Sequence, residues 1–229
     1  LSALADFDDL QDAFSQFQLR WLPVVLLLAF LNYVLRYFKF HYYLRILNIS
    51  LPHGTAFLVF LSSFVMAITP GKLGEVLKSV FLKDLTGASK SRTAPIVVAE
   101  RITDLLAFIF MTLIGVSGFI QQRAILYTVL VTFLLILLFC VLIGIRSFSL
   151  AMIHLAGRLP LFSRFAPKLL TAYESTYVLI TPRRLFWAVV ISVPSWSCEV
   201  LAFYLVCQAL GQAISMGACY FIYSVGTIL

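Results

Sequence analysis

Charged residues are scarce in this sequence. Asp, Glu, Lys and Arg make up 12% of its 229 residues, while 62% are hydrophobic. That shortage excludes a water-soluble globular domain, which needs polar side chains to cover its surface. Mean hydropathy is +1.00, and the runs Trp21 to Leu35, Leu105 to Val116, Tyr127 to Ile145 and Leu185 to Val206 are too long and apolar for a soluble core. The chain therefore reads as all-α, a polytopic integral membrane helical bundle. Acidic residues are the rarer sign, 10 against 17 Lys and Arg, giving a net charge of +7. In a soluble chain that excess suggests nucleic acid. Here the basic residues sit in short loops beside apolar spans, where cytoplasmic loops face anionic headgroups, so a membrane lipid and no nucleic acid is the expected partner. The four cysteines, Cys140, Cys198, Cys207 and Cys219, lie in apolar segments without a CxxC pair and read as small core residues. The three histidines, His41, His53 and His154, are scattered near interfaces with no ligand spacing. No metal or cofactor site and no nucleophile motif is expected.

Charge placement suggests a topology. Residues 1–20 pair Leu4, Phe7, Leu10, Phe14 and Phe17 with Asp6, Asp8, Asp9 and Asp12 on the opposite face, as in an interfacial amphipathic helix. Trp21 to about Tyr37 is the first span, with Arg36, Lys39, Tyr42, Tyr43 and Arg45 as a basic, aromatic inner edge. The next apolar run, Gly54 to Thr69, reaches about 24 Å at about 1.5 Å per residue, short of a hydrocarbon core of ~30 Å. The loops before Gly54 and after Leu82 are both basic, so residues 54–82 are expected to enter and leave on the cytoplasmic side, as a re-entrant helical hairpin. Ala94 to about Phe119 and Ala124 to Ile145 follow as spans. The basic stretch Arg146 to Arg184 is cytoplasmic and contains a surface helix, Phe165 to Ile180. Leu185 to Gln208 returns, and Ala213 onward begins a further element. The expectation is four full spans and one hairpin in a single transmembrane domain, residues 1–229, read as a piece of a longer membrane protein.

Three places carry candidate site residues. The first is the hairpin tip, Pro70-Gly71-Lys72-Leu73-Gly74-Glu75, with Lys78 one turn on. A helix starting at a Pro-Gly break inside a membrane presents free N–H groups and a positive dipole end, which suits an anion. Lys72 and Lys78 add charge, and Glu75 balances a lysine or meets a cationic headgroup. An ordinary turn with solvated charges is the alternative. The second is Glu100-Arg101-Ile102-Thr103-Asp104, where Glu100 and Asp104 share a helix face. Arg101 is expected to pair with one of them or with a carboxylate of another helix. The third is Glu199, beyond Pro194 near the middle of its span; it is a binding group or a structural partner for a basic residue.

Pro70, Gly71, Gly74 and Glu75, followed by Glu100, Arg101 and Asp104, resemble the paired motifs of the lysylphosphatidylglycerol synthase transmembrane, or flippase-like, family. Arg36 after the early span fits the same pattern. The resemblance, from about Trp21 to Leu229, implies a multi-pass protein of a bacterial plasma (inner) membrane. It also implies translocation of a phospholipid or lipid-linked substrate with an anionic headgroup. A membrane-embedded transferase on a lipid, or a scaffold for a partner enzyme, is the other reading, and a homo-oligomer is compatible with either. No soluble aminoacyl-transferase domain is visible, so synthase activity is not implied for these residues.

Overall fold

The computed structural model describes residues 17–65, 74–115, 123–158 and 165–228. Its regular elements are all helical among these residues. After a short 3-10 turn, Leu19–Trp21, the chain forms α1 (Leu22–Ile46), α2 (His53–Val65), α3 (Gly74–Thr86), α4 (Lys90–Thr93) and α5 (Pro95–Gly115). It continues as α6 (Arg123–Gly144), α7 (Arg146–Gly157), α8 (Ala166–Leu179), α9 (Pro182–Ala209) and α10 (Met216–Ile228). Residues 1–16, Pro70, Gly71 and Lys72, and most of the loop Ser117 to Arg123 lie outside the described residues, so the expected interfacial helix and hairpin tip do too.

By length and composition, two described helices can cross a membrane, Leu19–Ile46 and Pro182–Ala209. The pair Leu130–Gly144 and Arg146–Leu155, bent by 81°, makes a third if counted as one span. The sequence expectation was four. Helix α5 is long enough but carries Glu100, Arg101 and Asp104, so it needs protein partners rather than lipid along that face. Large apolar side chains such as Leu26, Phe30, Leu134, Leu135 and Phe186 face outward, an area of exposed hydrocarbon that water would not tolerate.

Helix α1 runs well past the expected end of the first span at Tyr37. Lys39 and Tyr43, read as part of an interfacial edge, are buried inside the bundle. Charge alone did not end the helix because that face meets partners in the protein. It ends instead at Asn48, whose φ of 52° is left-handed. Asn48 N–H donates to the Arg45 carbonyl and Ile49 N–H to the Leu44 carbonyl, at 3.0 and 2.9 Å, the Schellman pattern. Leu44 and Ile49 then share the core.

Helices α2 and α3, of 13 residues each, pack on one another. At about 1.5 Å per residue each is only about 20 Å long. Arg92, beyond α3, donates to the Leu47 carbonyl, just before α2, at 2.5 Å. This bond ties the chain after α3 to the chain before α2.

Helices α1 and α9 share the broadest helix contact and run antiparallel. Asn32, fully buried, donates to the Ser195 carbonyl at 2.8 Å, and Ser195 Oγ donates back to the Asn32 carbonyl at 3.2 Å. Pro194 stands inside α9 one residue earlier and removes a helical donor there. Farther along, α5 crosses α10 at Gly115. A Cβ built on Gly115 would lie 2.6 Å from both the Gly217 carbonyl and the Phe221 nitrogen. Both obstacles are backbone and have no rotamer to move. Gly115→Ala is therefore expected to cost about 1–3 kcal/mol, read as a lowered unfolding midpoint in detergent. Gly217→Ala, with its nearest neighbour 3.9 Å away, should shift it little.

Candidate functional site

The polar residues that the apolar spans carry converge between α1, α3, α5 and α9. Lys39 of α1 is 2% exposed. Its Nζ lies 2.5 Å from Asp104 Oδ1, 2.8 Å from Ser192 Oγ and 3.3 Å from Thr103 Oγ1. Ser192 in turn donates to Asp104 at 3.1 Å, which closes a three-helix network. One turn further along α1, the Tyr43 hydroxyl donates to the Ala99 carbonyl at 3.3 Å.

A second buried pair joins the hairpin to the bundle. Lys78 Nζ of α3 lies 2.9 Å from Glu100 Oε2 of α5. The ammonium also sits 5.2 Å from the ring centres of Phe40 and Phe60, so its remaining surroundings are aromatic. Glu100 and Asp104 do share one face of α5, and the structure gives each its own lysine. Removing charge from water in this way requires such close pairing with further hydrogen bonds.

Arg36 is arranged differently. It is half-buried, with its guanidinium 5.4 Å from the Phe64 ring centre of α2 and 5.1 Å from that of Trp196 on α9. Among the described residues no carboxylate lies within salt-bridge distance of it. Glu199, half-buried on α9, is within electrostatic reach of Arg36 and of Tyr223 on α10. Arg101 is half-buried on α5.

The structure thus brings Arg36, Lys78, Glu100, Asp104 and Glu199 toward one interior region. Gly74 and Glu75 open α3, while Pro70, Gly71 and Lys72 lie outside the described residues. The expectation that Lys78 offers a free positive charge needs revision, since its charge is matched by Glu100. Sequence reasoning missed Lys39, Ser192 and Asn32. Asn32 had a visible signal, an amide alone in the apolar run Trp21 to Leu35. Lys39 had one too, because two carboxylates on one face of α5 call for two cations.

The family described as lysylphosphatidylglycerol synthase TM region matches residues 1–229. The chain belongs to that family. It is therefore a membrane protein, as its apolar helices also indicate, of a family tied to lipid metabolism or flipping. No curated protein and no solved structure matches the chain.

Proposed function

We propose that this member of the lysylphosphatidylglycerol synthase TM region family translocates a phospholipid or lipid-linked substrate with an anionic headgroup across a bacterial plasma membrane. One observation carries the reading: Lys39 and Lys78 are each matched by a buried carboxylate, while Arg36 is held between two aromatic rings without one among the described residues. A guanidinium at such a depth is costly unless an anion or water meets it. Its planar fork suits the oxygens of a phosphate, and stacking on Phe64 and Trp196 fixes its orientation.

Phe64 stands near the end of α2, and the headgroup site in this reading is centred on Arg36 against it. The hairpin is re-entrant in this reading: its helices are too short to cross, and both ends return to the basic loops of the cytoplasmic side. In this reading Glu199, within electrostatic reach of Arg36, meets the opposite end of the headgroup. The paired lysines and carboxylates hold the frame.

Replacing Arg36 by Gln keeps a polar side chain of moderate size and removes the charge. Lipid translocation in reconstituted vesicles is expected to fall by about ten-fold or more, the loss of one charge-assisted hydrogen-bond set. The unfolding midpoint should stay close to that of the parent protein. Translocation at the parent rate would refute the assignment.

A further inference from the structure

A separate basic pocket lies at the end of α1. His41 and Arg45 stand one turn apart on that helix, and the Schellman turn at Asn48 swings the chain back so that His53 of α2 meets them. The two imidazoles stack, with ring centres 4.4 Å apart and planes inclined by 28°. Together with Asn48, Ser50 and Pro52 they line a concave space of about 480 Å³, and no acidic residue is among its walls.

The hydrogen bonds inside this pocket are incomplete. The Tyr37 hydroxyl oxygen lies 2.9 Å from His53 Nδ1 and 3.1 Å from the His53 carbonyl; donating to Nδ1, the shorter contact, it leaves the ring hydrogen on Nε2. His53 Nε2 is the nitrogen left for a ligand. His41 Nδ1 is shielded from water and has no hydrogen-bond partner among the described residues. A buried nitrogen without a partner costs least as a bare lone pair, which places the ring hydrogen on Nε2 and makes that atom a donor. Arg45, exposed at the rim, supplies permanent charge, and Ser50 and Asn48 supply neutral donors. The Arg45 guanidinium is a permanent cation with no carboxylate among the pocket walls, so an anion there meets an unmatched charge and imidazole N–H donors together.

We infer that His41, Arg45 and His53 form a phosphate-binding site on the membrane surface, distinct from the interior site at Arg36. The ligand is a phosphate group, of a lipid headgroup or of a free phosphate compound. Arg45 lies about 14 Å farther along α1 than Arg36, so the two sites do not share one phosphate. The inference stands whether or not the protein translocates lipid.

The test uses the full chain in an uncharged, phosphate-free detergent, with nitrogen-15 in its histidines. It is titrated separately with inorganic phosphate and with a short-chain phosphatidylglycerol. The His41 and His53 resonances are expected to move and saturate while His154 stays fixed. Arg45→Gln should weaken that response by about ten-fold or more, Arg45→Lys should largely preserve it, and Arg36→Gln should leave it unchanged. Arg45 is exposed, so its replacement leaves the fold intact. Saturation by inorganic phosphate identifies a site for any phosphate, and saturation by the lipid alone identifies a headgroup site. Absence of a response to both probes, or an unaltered response in Arg45→Gln, would overturn the inference.

Discussion

Asp104→Ala is expected to lower stability by about 3–5 kcal/mol, a large share of what holds a domain folded. The substitution leaves the Lys39 ammonium, 2% exposed, with hydroxyl groups alone for partners. It also strips the Ser192 hydroxyl of its acceptor. The measurement is unfolding in detergent, by heat or denaturant, with helix content as the signal. Removing both charges should behave otherwise. Lys39→Met with Asp104→Leu replaces the pair by apolar groups of similar volume and is expected to recover most of the loss, since a buried pair gains little over well-packed hydrocarbon. A single variant as stable as the parent would mean that the lysine reaches water or another anion.

The second large effect is at the hairpin. Lys78→Ala strands Glu100, which is 8% exposed, and empties the space between Phe40 and Phe60. A loss of about 3–5 kcal/mol is again expected. Its location should differ, because Lys78–Glu100 joins the hairpin to α5. Amide hydrogen exchange should rise in 53–65 and 74–86 before it rises in α1 and α9. Lys78→Met with Glu100→Leu should restore protection. Uniform acceleration throughout the chain would show that the hairpin is not a separate unit. Arg36 keeps its aromatic neighbours in all these variants.

The helical membrane class was readable because composition alone rules out a soluble surface, and long apolar runs have few other uses. Two short helices on either side of Pro70-Gly71 were readable from a short apolar run ending there, while the turn between them lies outside the described residues. The end of α1 was not. Lys39 looked like the start of an interface because a sequence shows a charge without its partners, and those partners lie far along the chain in Thr103, Asp104 and Ser192. The same limit applied to Lys78. Its spacing from Pro70 suggested a free cation near a helix start, yet the fold spends that charge on Glu100. Arg36 gained importance for the opposite reason. Its near neighbours Phe64 and Trp196 are aromatic, a fact no spacing rule contains. The stacking of His41 on His53 likewise depends on the turn at Asn48, whose left-handed backbone a sequence does not announce.

The most direct test of the central claim is an experimental structure of the full chain in a nanodisc containing anionic phospholipid. The expected result is a headgroup phosphate against the Arg36 guanidinium, between Phe64 and Trp196, with nitrogen to oxygen distances of about 2.7–2.9 Å. The contrary result is Arg36 closed onto Glu75 or Glu199 in a salt bridge, with no lipid phosphate beside it. That arrangement would make Arg36 one more matched charge in the frame and would place the headgroup site elsewhere.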